Sequence, residues 1–220
     1  MRSPSVALVL ALAVLLVLPV VAAAPVDAAF LGSAPGRFNS IEVADVDVDG
    51  GEDIVFGNYE GYLDIVSWKD GEYKAKAHLG SFGTRLWGIH VDDLDFDGKN
   101  EILAGDGEGT LRAFNGDDLR LRWQIDGLVR DVHGIALGDA DNDGEAEIVA
   151  GGGYKMDFPG SEVYLFDPLD HSLENSFLPG NASRMRSFDI ADVDGDSFNE
   201  LVFGTGEALG ETPGQGRLYV

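Results

Sequence analysis

Apolar residues recur at alternate positions in four short segments of the chain. The first pair is Ile41 and Val43, and the equivalent pairs are Ile89 and Val91, Ile135 and Leu137, and Phe188 and Ile190. This alternation predicts strands with one buried face. Shortly after each pair comes an apolar run, which reads DIVFG, EILAG, EIVAG or ELVFG. Runs of this kind predict a second, well-buried strand.

Two more strands are predicted after each apolar run. The third strand reads YLDIV from Tyr62, TLRAF from Thr110, EVYLF from Glu162 and RLYV from Arg217. A less regular fourth strand reads EYKAKAHL, LRLRWQI and LENSFL in the first three units. No convincing helical periodicity follows the N-terminal segment, so each unit is predicted to be four short antiparallel strands.

An acidic stretch separates the first and second predicted strands in every unit. The four copies read DVDVDGGED from Asp45, DLDFDGKNE from Asp93, DADNDGEAE from Asp139 and DVDGDSFNE from Asp192. Their first residues are 48, 46 and 53 positions apart, a period typical of repeat architectures. We place the repeats at about residues 34–81, 82–127, 128–180 and 181–220. The sequence thus predicts an all-β protein, a β-propeller with four four-stranded antiparallel blades in this chain.

Three arrangements of the blades remain open from the sequence. The residues around Phe30 resemble the end of a fourth strand, so they are expected to complete the last blade and close a four-bladed ring, which removes exposed strand edges. Alternatively, the four blades are part of a larger propeller. A third arrangement joins two chains in an eight-bladed ring.

The acidic stretches have the pattern of calcium-binding loops. Carboxylates at positions 1, 3, 5 and 9 converge on one point, and glycine at position 6 permits a sharp turn. Ca²⁺ accepts such oxygen ligands with flexible geometry, whereas transition metals favour His or Cys, which the loops lack. The predicted ligands are Asp45, Asp47, Asp49 and Asp53; Asp93, Asp95, Asp97 and Glu101; Asp139, Asp141, Asp143 and Glu147; and Asp192, Asp194, Asp196 and Glu200. The alternative is a set of solvated acidic turns. Ser197 replaces the glycine in the fourth copy, which predicts a weaker site.

These repeats resemble FG-GAP repeats, which are related to VCBS-like repeats and form the calcium-binding blades of integrin alpha-subunit propellers. Phe56-Gly57 and Phe203-Gly204 match the first half of the family's motif, while its Gly-Ala-Pro half is not recognisable. The resemblance covers about residues 30 to 220. It implies a β-propeller with up to four structural Ca²⁺ ions in hairpin loops at its rim.

The N-terminal segment and the charge restrict localisation and partners. Residues 1–28 are predicted to be a signal peptide cleaved after Ala28, and the alternative is an uncleaved membrane anchor. The mature chain, residues 29–220, is therefore expected to be secreted or displayed at the cell surface. A net charge of -24 argues against nucleic acid as a partner, and the absence of cysteine excludes disulfides and thiolate metal sites. The sequence does not indicate an oligomeric state.

A candidate ligand surface lies just before the first strand of each repeat. It comprises Arg37, Arg85, Trp87, His133, Arg184 and Arg186. Arginine pairs well with carboxylates and tryptophan stacks on sugar rings, so this face is a candidate site for an extracellular acidic glycan or protein ligand. The alternative is that each arginine pairs with acids of a neighbouring blade.

The function expected from the sequence is adhesion or ligand recognition by a calcium-stabilised propeller. An enzymatic alternative is a polysaccharide lyase or hydrolase acting on acidic glycans, for which His133 with Arg186 or Arg184 is the only candidate pair. A third alternative is a structural segment of a larger cell-surface protein. No nucleophile elbow or phosphate-binding loop appears in the sequence.

Overall fold

The structure is a computed structural model that describes residues 37–153, 161–179, 185–206 and 217–220. The predicted signal segment, the strand around Phe30 and the candidate ligand residue Arg184 lie outside the described residues. Within the described ranges, no helix is long and apolar enough to cross a membrane.

The described residues form strands arranged in four separate sheets. The first sheet contains β1 (Phe38–Ala44), β2 (Asp53–Asn58), β3 (Leu63–Lys69) and β4 (Glu72–Leu79). The second contains β5 (Leu86–Asp92), β6 (Glu101–Asp106), β7 (Leu111–Asn115) and β8 (Leu121–Ile125). The third contains β9 (Val132–Gly138), β10 (Glu147–Gly153), β11 (Ser161–Phe166) and β12 (Leu173–Phe177), and the fourth contains β13 (Met185–Ala191), β14 (Glu200–Thr205) and β15 (Arg217–Tyr219).

Each sheet is an antiparallel meander in which strands consecutive in the chain pair with each other. The all-β propeller predicted from the sequence is confirmed, with four predicted strands in three sheets and three in the described part of the fourth. The acidic stretches join the first and second strand of each sheet, as expected. We call them acidic loops 1 to 4, for residues 45–53, 93–101, 139–147 and 192–200.

The core lies between consecutive sheets, where alternating apolar side chains of one sheet face those of the next. Val55, Leu63 and Ile65 of the first sheet pack with Ile89 and Val91 of the second. Equivalent clusters join the second sheet to the third and the third to the fourth. The alternation in the sequence therefore encodes contacts between sheets, and burial of these side chains is the main stabilising term of the fold.

Glycine at the end of the second strand permits this close approach. A Cβ added at Gly57 would lie 2.8 Å from Leu86 Cβ, and one at Gly105 would lie 2.6 Å from the Val132 carbonyl oxygen. A Cβ at Gly151 would lie 2.8 Å from the Phe188 ring. Each of these glycines therefore lies where the next sheet leaves no room for a side chain.

Candidate metal centres and ligand surface

The four acidic loops share one backbone conformation. The fourth residue of each loop, Val48, Phe96, Asn142 or Gly195, has a positive φ. The sixth residue does as well, and it is glycine in loops 1 to 3. In loop 4 the sixth residue is Ser197, with a φ of 76°, so a side chain occupies a conformation that favours glycine.

Carboxylates organise the turn within each loop. In loop 2, the Asp93 side chain accepts hydrogen bonds from the Asp97 and Gly98 backbone N–H groups at 2.9 and 2.8 Å. Asp97 in turn accepts a bond from the Lys99 N–H group at 2.9 Å. Loops 1 and 4 repeat all three bonds. Loop 3 repeats the second and third, while its Asp143 N–H group donates to Asp141 instead of Asp139.

The ninth residue connects the loop to the start of the second strand. Glu147 is buried and accepts a hydrogen bond from the Ala140 N–H group at 2.7 Å. Glu101 and Glu200 make the equivalent bonds in loops 2 and 4. Burial raises the pKa of Glu101 and of Glu147, and at Glu147 the charges of Asp141 and Glu174 add to this effect.

The predicted ligands converge in every loop, but to different extents. Carboxylate oxygens of all four predicted ligands lie within 4.8 Å of one another only in loop 3 among the described loops. Asp53, Asp97 and Asp196 do not belong to the convergent groups of their loops. The groups are Asp45, Asp47 and Asp49; Asp93, Asp95 and Glu101; Asp139, Asp141, Asp143 and Glu147; and Asp192, Asp194 and Glu200.

Acidic loop 1 already contains a cation from the protein itself. The Lys76 ammonium lies 2.7 Å from Asp47 Oδ2 and 2.8 Å from Asp53 Oδ2. Burial opposes the charge on Lys76, but its hydrogen bonds to these two carboxylates outweigh that cost and raise its pKa. The buried Asp53 also accepts a bond from Ser67 Oγ, so its oxygens are engaged by protein groups.

Acidic loop 2 contains a guanidinium in the same place. Arg122 forms an ion pair with Asp95 and another, at 2.5 Å, with Glu101. Lys76 and Arg122 are equivalent positions, because each lies at the irregularity in pairing between the third and fourth strands of its sheet. Neither residue was predicted as a partner of the loops, although basic residues in the fourth strands of the first two repeats were a usable signal in the sequence.

The corresponding residue in the third repeat is acidic. Glu174 lies at the same irregularity between β11 and β12. Burial and the charges of Asp167 and Asp141 raise the pKa of Glu174, so it adds negative charge beside acidic loop 3. Among the described residues, no basic side chain forms an ion pair with a carboxylate of loop 3 or loop 4.

The structure therefore distinguishes two kinds of acidic loop. Loops 1 and 2 each offer three convergent carboxylates, and the Lys76 ammonium and the Arg122 guanidinium lie against them. Loop 3 fits Ca²⁺ best among the described loops, because it offers four convergent carboxylates. Its Asp139 Oδ1 is buried without a hydrogen bond, as are Asp47 Oδ1 in loop 1 and Asp95 Oδ1 in loop 2. Loop 4 also fits, with three convergent carboxylates and a strained sixth position.

The candidate ligand surface lies at the other end of the first strands from the acidic loops. The Arg85 guanidinium lies over the Tyr59 ring, 4.3 Å from the ring centre. It also lies 5.8 Å from the centre of the Trp87 ring. Arg37 lies 5.9 Å from the same tyrosine ring, and the Tyr59 and Trp87 rings meet edge to face at 5.8 Å. We call these four residues the arginine–aromatic surface.

Neither Arg37 nor Arg85 forms an ion pair with a carboxylate of the described residues. Arg130, by contrast, pairs with Glu108 at 3.5 Å. Tyr59 was missed in the sequence because its counterpart in the second repeat is Gly107. An open depression of about 460 Å³ adjoins the surface and is lined by Tyr59, Glu60, Gly83, Thr84, Arg85, Gly107, Glu108 and Arg130.

The remaining predicted ligand residues differ in accessibility. His133 is buried, and its ring contacts the Trp87 ring with centres 4.5 Å apart. The Trp87 indole N–H donates to Asp131 at 2.8 Å, which fixes the orientation of the ring. Arg186 is exposed on β13 of the fourth sheet. His133 therefore supports the surface from below, while Arg85 and Tyr59 form its accessible part.

Comparison with known proteins supports the fold and goes no further. No protein-family model matches the chain, and no curated protein sequence matches it. The WD40 β-propeller domain of Doa1 is similar in structure, with 15% identity and a TM-score of 0.57 over 80% of this chain and 50% of that one. The RRP9 WD40 repeats match with 12% identity and a TM-score of 0.57 over 80% and 47% of the two chains.

The computationally designed Ika4 protein matches with 12% identity and a TM-score of 0.55 over 86% of this chain and 94% of that one. The chain spans about half the length of the two WD40 structures. The sheets and these similarities together define a β-propeller protein. The FG-GAP resemblance gains no support from the comparisons and stays a hypothesis based on the repeated motifs.

Proposed function

We propose that this protein is a secreted, calcium-stabilised β-propeller that recognises an acidic extracellular ligand on its arginine–aromatic surface. Ca²⁺ has a structural role in this proposal and binds acidic loops 3 and 4. The predicted signal segment supports secretion, and millimolar extracellular calcium would fill even weak loops.

The convergence of carboxylates in acidic loop 3 supports the calcium part of the proposal. Four like charges within 4.8 Å repel one another, and no described basic side chain offsets them. Asp139, Asp141, Asp143 and Glu147 would hold the ion, which would tie the end of β9 to the start of β10. Binding to the folded state alone stabilises by about 2.7 kcal/mol per site at a hundredfold excess over Kd.

A thermal unfolding experiment tests calcium binding. The metal-free protein is expected to melt at a higher temperature when Ca²⁺ is added, and the increase should be much smaller in Asp141→Asn. The matched control is Glu145→Gln, which removes one exposed carboxylate of the same loop outside the convergent group. An equal calcium response in Asp141→Asn and the unmodified protein would refute binding at loop 3.

The single observation that carries ligand recognition is that the Arg85 guanidinium lies over the Tyr59 ring and pairs with no carboxylate of the described residues. In a chain with a net charge of -24, an arginine that pairs with no described acid is able to take a carboxylate from a ligand. Tyr59 holds the guanidinium plane, and the adjoining depression gives room for a sugar ring or a peptide side chain.

Polygalacturonate, with neutral dextran as the comparison polymer, tests this surface. Calorimetry should show binding of polygalacturonate that weakens with added salt and is reduced about tenfold or more in Arg85→Ala. Arg120→Ala is the matched control, because Arg120 is exposed and lies near Asp118, away from the surface. Equal binding by Arg85→Ala would refute the site, and release of reducing ends from the polymer would favour the enzymatic alternative.

A further inference from the structure

We propose that two copies of this chain associate head to tail, the first sheet of each copy packing on the fourth sheet of the other. The inference is independent of calcium and ligand binding. It rests on two exposed apolar surfaces, one on the first sheet and one on the fourth. Their residues are equivalent to those that pack against each other wherever two consecutive sheets of the chain meet.

The first surface, here called the leading face, consists of Phe38, Ile41 and Val43 on β1. Ile41 is 68% exposed, whereas its equivalents Ile89 and Ile135 are each 8% exposed. Phe38 and Val43 are likewise exposed. The residues at the position of Phe38 in the other three sheets are fully buried; they are Leu86, Val132 and Met185. A first strand in this fold therefore normally buries this face against the preceding sheet.

The second surface, the trailing face, consists of Val202, Gly204, Leu218 and Val220 in the fourth sheet. Leu218 is paired with Gly204 as Leu63 is paired with Gly57, yet Leu218 is 73% exposed and Leu63 is completely buried. Val220 is exposed where its equivalent Ile65 is buried.

Gly204 gives an independent indication that no sheet of the described residues packs on the trailing face. A Cβ added at Gly204 would meet nothing within 4 Å. At the equivalent Gly57, Gly105 and Gly151, an added Cβ would come within 2.8 Å of the following sheet. The trailing face therefore has the glycine that permits close approach of a following sheet. No following sheet occurs among the described residues.

The occupant follows from the chemistry of the contact. Within the chain, the trailing faces of the first three sheets each pack on the leading face of the next sheet. Those leading faces belong to β5, β9 and β13. Each copy exposes one leading face and one trailing face, so two copies supply both partners twice. Such a head-to-tail interface gives a closed ring when the rotation closes and a filament when it does not. We infer the closed pair of chains, because a closed pair leaves neither face uncovered, whereas a filament leaves one apolar face exposed at each end.

Light-scattering mass measurement of the full chain across a range of concentrations tests the proposal. The unmodified protein should have twice the mass that the same preparation shows for one chain under denaturing conditions. Ile41→Glu and Leu218→Glu should each raise the dissociation constant roughly 100-fold or more, because an unpaired carboxylate would be buried. Both side chains are exposed in the single chain, so folding should survive, and unchanged melting temperatures would show this.

Mixing the two variants distinguishes this interface from others. Ile41→Glu retains an intact trailing face and Leu218→Glu an intact leading face, so an equimolar mixture should regain pairs of chains through one intact contact. Leu169→Glu, at an exposed leucine outside both faces, should behave as the unmodified protein. A monomeric unmodified protein would overturn the proposal. So would a pair of chains that persists in Ile41→Glu and in Leu218→Glu.

Discussion

The Lys76 ammonium lies 2.7 Å from Asp47, inside a loop whose sequence predicts a bound metal ion. It shows that an amino group of the fourth strand can neutralise an acidic loop of this fold. Arg122 does the same in the second repeat, whereas Glu174 has the opposite charge in the third. Loops 1 to 3 share acidic residues at positions 1, 3, 5 and 9, yet the charge at one position outside them differs between the first two and the third.

The first prediction concerns Lys76. In metal-free buffer, Lys76→Met should lower the free energy of unfolding by about 1–3 kcal/mol, because Asp47 and the buried Asp53 would lose their charged hydrogen bonds. Calcium should then stabilise the variant more than the unmodified protein, since acidic loop 1 would be free for the ion. Urea unfolding with and without Ca²⁺ measures both effects.

Lys74→Met is the matched control for this experiment. Lys74 is on the same strand, but it pairs with the exposed Asp70 and Glu72, and such pairs contribute about 0–1 kcal/mol. If Lys76→Met lost no more stability than Lys74→Met, the ammonium would not be the cation of loop 1.

The second prediction transfers the internal cation to the third repeat. Glu174→Lys should raise stability in metal-free buffer, because it removes a carboxylate that is unfavourable beside loop 3 and supplies an ammonium at the position of Lys76 and Arg122. The calcium-induced rise in melting temperature should become smaller. Glu174→Gln separates the two effects, since it removes the charge without adding a cation. A calcium response that stays unchanged in Glu174→Lys would contradict the equivalence of the positions.

The third prediction concerns the sixth residue of acidic loop 4. Ser197 has a φ of 76°, where a side chain costs about 1 kcal/mol relative to glycine. Ser197→Gly should therefore raise stability by up to about 1 kcal/mol, and Gly144→Ser should lower it by a similar amount. Chemical denaturation of both variants measures the change, and a loss of stability in Ser197→Gly would show that the hydroxyl matters more than the backbone conformation.

The fourth prediction concerns pH and His171. Burial lowers the pKa of His171, whose ring lies against Trp123 with centres 4.4 Å apart. In the unfolded chain the imidazole takes up a proton near its ordinary pKa of about 6.5, while the folded state resists protonation. Below that pH the unfolded state binds more protons, so the free energy of unfolding should fall as pH drops from about 7.5 to 5.5.

His171→Asn isolates this contribution. Asparagine tolerates the φ of 64° at this position and does not titrate in this range. The difference in unfolding free energy between the variant and the unmodified protein should therefore change with pH. A parallel pH dependence in the two proteins would mean that His171 is protonated equally in the folded and unfolded states.

The sequence by itself determined the repeat, the strands and the acidic loops. Each of these is a local pattern: alternation such as Ile89 and Val91 sets which face of a strand is buried, and the spacing of Asp45, Asp47 and Asp49 sets a turn. Patterns of this kind can be predicted from the sequence, because they depend on residues that are close together in the chain.

Only the tertiary structure decided which acidic loops carry an internal cation. Lys76 and Arg122 each lie 17 residues before the first aspartate of the following repeat, so the sequence alone aligns them. Their contact with the acidic loop of their own repeat depends on how the third and fourth strands pair in space. The contact between the Arg85 guanidinium and the Tyr59 ring, which joins two repeats, was likewise not predictable from the sequence. Nor was the exposure of the leading and trailing faces. Those features depend on packing between sheets, and the physical reason is that distance through space is not encoded in local periodicity.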